Sequence, residues 1–137
     1  DVEQAVARHL NAHYHGWLSA ADLPRYFKAA DIVYYCLRLD YPGAVYNAPN
    51  TLSHAMVASR PVIANDVGDL GRIVREAECG VLISEATPQA IVGAIEQLSD
   101  PLTRTRLGTN GLQAAHNKYN AATIQRQRVD FYQKLLR

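Results

Sequence analysis

Short apolar segments rich in β-formers alternate along this chain with segments that have helical apolar spacing, and this alternation constrains the fold most. Ile32–Leu37, Val62–Ala64 and Gly80–Ser84 are each apolar nearly throughout, as strands buried on both faces are. A fourth strand is predicted at Ala12–Leu18. Strands separated by helices of this length form βαβ units and a parallel sheet. We therefore predict an α/β fold with a doubly wound parallel sheet of about four strands, followed by two C-terminal helices.

Capping residues mark the starts of the predicted helices. Side chains that make good N-caps precede four of them: Asp22, Asn50, Thr87 and Asn120. Pro88 and Pro101 then stand at first helical positions. In the last helix we expect Ile124, Phe131 and Leu135 to face the core.

Composition excludes several classes of function. A net charge of +1 without a Lys/Arg run gives no electrostatic footprint for a nucleic acid polymer. No apolar run approaches the roughly 20 residues that span a bilayer, and no signal peptide is visible. We expect a cytoplasmic protein in which Cys36 and Cys79 are buried reduced thiols.

The length fits one domain, residues 1–137. A helical pattern is already under way at Val2, whereas a doubly wound domain normally begins with a strand. We therefore expect this domain to be a fragment of a larger protein.

The loop Arg38–Pro49 is the first candidate binding site. In open parallel sheets, ligands bind at the carboxyl ends of the strands. This loop leaves the strand Ile32–Leu37 and leads into the N-terminus of a helix at Thr51–Ala58, where the backbone amides of residues 50–52 suit a phosphate. The turn Val67–Asp69 follows the next strand and is the second candidate.

Familiar catalytic and metal-binding patterns are missing from the sequence. It contains neither G-x-G-x-x-G nor a P-loop. His13 and His15 lack a carboxylate or thiolate partner nearby, so no metal site is predicted. Ser53 and His54 are sequence neighbours on a helix and cannot face each other as nucleophile and base. We assign no catalytic residue to this chain.

One run of residues resembles a known family: YNAPNTLSHAMVASRPVIANDVGDLGRIVREAECGVLI. It is similar to the donor-binding segment of group 1, retaining glycosyltransferases of the GT-B fold. The preceding HGWLSAADLPRYFKAADIV and the following ATPQAIVGAIEQLSDP resemble the segments that flank it there. The resemblance implies a Rossmann-like C-terminal domain that holds a nucleoside diphosphate sugar. It also implies that the N-terminal, acceptor-binding domain is missing here.

The resemblance further implies an activity and a set of contacts. The full-length protein would move a hexose from a nucleoside diphosphate sugar to a carbohydrate or lipid-linked acceptor, as in polysaccharide biosynthesis. The donor is a substrate, and no metal or further cofactor is implied. We expect the fragment alone to be inactive, and any peripheral membrane contact to involve the missing domain. The implied nucleotide-sugar-binding residues are Tyr46, Asn47, Ala48, Pro49, Asn50, Thr51, Leu52 and His54.

Two positions depart from the family pattern. The family has two glutamates separated by seven residues, the second followed by Ala-Met, and alignment on Ala55-Met56 places Tyr46 and His54 there. A neutral His54 can accept one hydrogen bond and donate another to a ribose, and Tyr46 can stack on a sugar. A degenerate, non-catalytic domain kept for assembly or scaffolding remains an alternative, as does half of a nucleotide-sugar epimerase.

Overall fold

A computed structural model describes residues 2–38, 40, 43–47 and 49–136, with the side chain of Ala44 left out. Its elements, in chain order, are α1 (Val2–Val6), α2 (Leu23–Ala29), β1 (Val33–Tyr35), a 3₁₀ turn (Ala44–Tyr46), α3 (Asn50–Val57), β2 (Val62–Asn65), α4 (Gly68–Ala77), β3 (Gly80–Ile83), α5 (Pro88–Gln97), α6 (Pro101–Asn117) and α7 (Ala121–Leu135).

The described strands form one parallel sheet in the order β1-β2-β3. Val33 pairs with Val62, and Val62 pairs with Gly80. Helices α3 and α4 cover one face of the sheet, α5 covers the other, and α6 contributes to the core on both faces. The predicted α/β, doubly wound architecture is confirmed.

Each face of the sheet has its own core. One cluster joins β1 and β2 to the inward sides of α3 and α4: Val33, Leu37, Leu52, Ala55, Met56, Val62, Ala64, Leu70, Ile73, Val74 and Cys79. The other packs β2 and β3 against α5 and α6: Ile63, Ile83, Ala94, Leu98 and Leu107. Both cysteines are free, but only Cys79 is fully buried, and burial raises the pKa of its thiol to about 11.

The strand predicted at Ala12–Leu18 is wrong, so the sheet has three described strands rather than four. Residues 12–18 have no regular structure, and no described strand pairs with them. A strand needs a neighbour to bond its backbone, and Gly16 adopts a left-handed φ of +66°, which breaks an extended segment. His13 and His15 are exposed.

Two of the four predicted N-caps are confirmed. Thr87 accepts from the amide of Ala90 at 3.2 Å, and Asn120 accepts from that of Thr123 at 2.9 Å. Asn50 is instead the first residue of α3, because the extended backbone of Pro49 takes the N-cap position.

The remaining predicted cap, Asp22, has the N-cap place of α2 but makes no capping hydrogen bond. Its carboxylate accepts from the Ser19 hydroxyl at 2.6 Å and pairs with Arg25. The residue is itself helical in φ and ψ, unlike an ordinary N-cap.

The predicted inward face of the last helix is wrong as well. Ile124, Phe131 and Leu135 are 42%, 59% and 65% exposed, and no described residue of α7 is buried. Their helical spacing is correct, but neither described core cluster includes a residue of α7. Within the described chain, no helix has the length and apolarity needed to cross a bilayer.

Candidate functional site

The carboxyl ends of the three strands define one edge of the sheet, to which both predicted sites belong. The loop after β1 leads to the N-terminus of α3, and the turn after β2 leads to that of α4. Because the strands are parallel, these two helix N-termini lie at the same edge. The loop and the turn are therefore parts of one candidate site.

Gly68 brings the loop and the turn into contact. Its φ of +52° lies in the left-handed region, and a Cβ at this position would collide with the backbone carbonyl of Val45. Only glycine combines that conformation with so close a backbone approach. The 3₁₀ turn of the loop therefore packs directly against the first residue of α4.

The loop has anchored and exposed parts. Pro49 is buried, and the amide of Tyr46 donates to the Gly43 carbonyl at 3.1 Å. Between these points the Tyr46 side chain is 84% exposed, and Asn47 is also exposed. Ala48, another predicted contact, lies outside the described residues.

Among the described residues, no side chain caps the N-terminus of α3 or of α4, where Pro49 and Val67 hold the N-cap positions. By contrast, side chains cap α5, α6 and α7. At α3 the amide of Leu52 donates to the Pro49 carbonyl at 3.0 Å, whereas the amides of Asn50 and Thr51 precede the first backbone bond of the helix among the described residues. Such amides and the helix dipole favour an anion.

The predicted contact residues on α3 differ in what they can offer. Leu52 is 3% exposed and packs in the core, so its side chain is unavailable to a ligand. Asn50 and His54 are exposed, and Thr51 is half-buried. The His54 ring lies 5.3 Å from the ring of Phe27, centroid to centroid, which places it between α3 and α2.

Cations near this edge are already paired. Arg38 Nη2 lies 2.5 Å from Asp40 Oδ2, and this guanidinium lowers the pKa of the carboxyl. Arg75 pairs with Asp66, the residue after β2. Positive potential for an anion therefore comes mainly from backbone amides. Among the described residues, no group of three His, Cys, Asp or Glu side chains is placed to hold a metal.

Asn65, at the carboxyl end of β2, was missed by the sequence prediction. It is 3% exposed, and its side-chain Oδ1 accepts from the amide of Leu37 at 2.8 Å. Its Nδ2 donates to the Leu37 carbonyl at 3.0 Å. A signal was present, because an asparagine directly follows the apolar strand residues Val62–Ala64 and asparagine is rarely buried.

A cavity of about 360 Å³ lies at the opposite edge of the sheet, where Arg60 and Arg104 line it. Arg60 Nη2 donates to the Lys28 carbonyl at 2.5 Å. Arg104 Nη1 donates to the carbonyls of Leu98 and Ser99, both at 2.7 Å. These arginines bond carbonyls at the ends of α2 and α5. The cavity is separate from the candidate site because its lining residues include Asp31 and Pro61, which precede β1 and β2.

Comparison with known proteins gives a family and a fold. A family model described as glycosyl transferases group 1 matches residues 1–100. The structure is similar to sucrose-phosphate synthase from Thermosynechococcus elongatus, with a TM-score of 0.78 and 26% identity over 98% of this chain and 33% of that chain. A search of curated protein sequences gives no significant match.

A second structural relative is the C-terminal domain of LpcC, a glycosyl transferase group 1 family protein from Francisella tularensis. The TM-score is 0.65 with 24% identity, over 88% of this chain and 61% of that chain. At this identity the likeness concerns the fold alone. The chain thus spans a third of the synthase and about three fifths of the LpcC domain structure.

Proposed function

Because the chain belongs to the group 1 glycosyltransferases, we propose that its protein transfers a sugar from a nucleoside diphosphate sugar bound at the candidate site. The observation that carries this proposal is the contact between Gly68 and Val45. It joins two helix N-termini without side-chain caps to one exposed loop. Such an edge offers amides to a diphosphate and exposed side chains to the sugar and ribose.

The amides at the start of α3 would bind the diphosphate and stabilise the charge that develops as it leaves. Transfer from a sugar nucleotide depends largely on positioning and on stabilising that leaving group. An anion near a helix N-terminus gains about 0.3–1 kcal/mol where exposed and up to about 2 kcal/mol where partly buried. The proposal needs no metal or cofactor besides the donor.

Tyr46 and His54 would contact the sugar and the ribose. Tyr46 is exposed on the loop, so its ring is available to stack on a hexose. His54 can exchange hydrogen bonds with a ribose hydroxyl, more weakly than the carboxylate of a glutamate would. A carbohydrate or lipid-linked acceptor would be bound by a further domain.

A non-catalytic domain is the second candidate function. The presence of Tyr46 and His54, where the resemblance leads us to expect glutamates, favours it. A domain of this kind would keep the fold for assembly or scaffolding. It predicts no turnover by the full-length protein with any sugar nucleotide.

Nucleoside diphosphate release from a panel of UDP- and GDP-sugars separates the two candidates. We expect the full-length protein to release the nucleoside diphosphate from at least one donor in the presence of carbohydrate acceptors. Tyr46→Ala should lower kcat/KM at least about tenfold, because losing a stacked aromatic contact costs about 1.4 kcal/mol.

The matched control is Tyr132→Ala, which removes an aromatic ring that is 58% exposed on α7. This variant should keep wild-type kcat/KM. Absence of release from every donor would favour the non-catalytic domain. If Tyr46→Ala releases the nucleoside diphosphate as fast as the wild type does, the loop is not part of the donor site.

A further inference from the structure

The one polar side chain among the fully buried residues of the described chain lies at the candidate site. It belongs to Asn65, which is 3% exposed. A buried amide is costly unless its hydrogen bonds are made, and here both its oxygen and its nitrogen are bonded. Both bonds go to one residue, Leu37, which is 28 positions away in the sequence.

These bonds continue the sheet by means of a side chain. The backbone ladder between β1 and β2 ends at the pair Tyr35–Ala64. Two residues beyond the end of β1, the amide and carbonyl of Leu37 are bonded to the Asn65 side chain. The Asn65 amide has the donor and acceptor of a peptide group, so it can pair with both groups of Leu37 at once.

Leu37 is the residue from which the loop Arg38–Pro49 departs. Its own side chain is 8% exposed and belongs to the core, so both its side chain and its backbone are held. The loop is held again at Val45, which contacts Gly68, and at the buried Pro49. Asn65 thus provides the first of three anchors that frame the exposed Tyr46.

We propose that Asn65 is a positioning residue that fixes the departure of the Arg38–Pro49 loop from the sheet and so places Tyr46 for the donor. The placement of Tyr46 for the donor rests on the proposed function. The role of Asn65 in the loop geometry does not. Neither of two side chains of similar size can replace the amide. Leucine has no polar atoms, and an ionised aspartate accepts from the Leu37 amide but cannot donate to its carbonyl.

Amide hydrogen exchange of the 137-residue chain tests the loop geometry without any ligand. In Asn65→Leu we expect exchange at Leu37 and through residues 43–47 to rise at least about tenfold, the equivalent of one lost hydrogen bond. Asn65→Asp, which can keep the bond from the Leu37 amide but sets an oxygen against the Leu37 carbonyl, should also raise exchange there. It also covers the case in which the leucine variant does not fold.

Ile63→Val is the matched control, since Ile63 is equally buried on β2 but packs on the other face. It should leave exchange in residues 37–47 unchanged relative to the core strands. Equal exchange of this segment in Asn65→Leu, Asn65→Asp and Ile63→Val would overturn the positioning role.

Titration with UDP and GDP connects the loop geometry to binding. Asn65→Leu, which adds no charge beside the anion, should raise the apparent Kd of whichever nucleotide the wild type binds by about tenfold, whereas Ile63→Val should not. If the wild type binds neither nucleotide, the proposed donor site is wrong, while the exchange result still decides the role of Asn65. If it binds one and Asn65→Leu binds it equally well, Asn65 does not position this site.

Discussion

At the scale of single residues, the contact between the loop and α4 depends on the close approach at Gly68. Gly68→Ala adds a Cβ to a residue with φ of +52° and places it against the Val45 carbonyl. We expect the free energy of unfolding to fall by about 1–3 kcal/mol, because alanine is strained at this φ and the loop must move away from its Cβ. Urea denaturation measures this loss.

Gly93→Ala is the matched control for that substitution. Gly93 lies inside α5, and a Cβ there would meet nothing within 4 Å. Alanine is the better helix former, so this variant should be more stable than wild type by about 0.5–1 kcal/mol. Equal effects of the two substitutions would show that the approach of Val45 to Gly68 does not constrain the chain.

Some residues of the site could be found from the sequence, and others could not. Topology alone located the Arg38–Pro49 loop and the Val67–Asp69 turn, because parallel strands end at a shared edge. The contact between the loop and the turn at Val45 and Gly68 depends on packing between residues that are 23 positions apart in the sequence. The bonds of Asn65 to Leu37 are also long-range, and no local pattern encodes them.

At the scale of elements, a polar cluster ties α4 to α6. Glu76 on α4 accepts from Lys118 Nζ at 2.5 Å and from the Tyr119 hydroxyl at 3.1 Å, and it also pairs with Arg72. The bond from Lys118, then those from Arg72 and Tyr119, lower the pKa of Glu76 from 4.5 to about 2. The ionised form of Glu76 is therefore favoured by folding.

This cluster predicts a dependence of stability on pH. Because the folded pKa of Glu76 is below the unfolded one, its contribution is present above pH 4.5 and is lost as pH falls towards about 2. Glu76→Gln should flatten the curve of unfolding midpoint against pH in that window. Glu96→Gln, at an exposed position on α5, should leave the curve as in wild type. A wild-type slope in Glu76→Gln would contradict the tie.

The sequence predicts elements correctly where they have neighbours in the described chain. It fails for one strand and one helix face that have none there. The three parallel strands and the caps at Thr87 and Asn120 follow from local sequence and are confirmed, although only β2 is buried along its whole length. Ala12–Leu18 has a β-like composition but no strand beside it. The apolar spacing of α7 indicates a helix, yet it does not tell whether another element covers that side.

At the scale of the whole molecule, the stable core ends with α6. No described residue of α7 is buried, whereas α6 contributes Leu107, Gly108 and Gly111 to the interior. A chain ending at Asn120 should therefore unfold with a free energy within about 1 kcal/mol of the full chain, as measured by urea denaturation.

Leu98→Ala provides the scale for that comparison. Leu98 is fully buried, so its truncation should cost about 2–5 kcal/mol. If removing residues 121–137 costs as much as Leu98→Ala, α7 packs on the domain and the account of the core is wrong.

The central claim is that one edge of the sheet binds a nucleoside diphosphate. Titration of the isotopically labelled 137-residue chain with UDP and GDP tests it most directly. We predict that at least one nucleotide shifts the backbone amide signals of Asn47 and of residues 50–54, together with Gly68, while signals of α5 and α7 stay in place. If both nucleotides at saturating concentration leave the signals of this edge unmoved, or move those of another surface instead, the claim is contradicted.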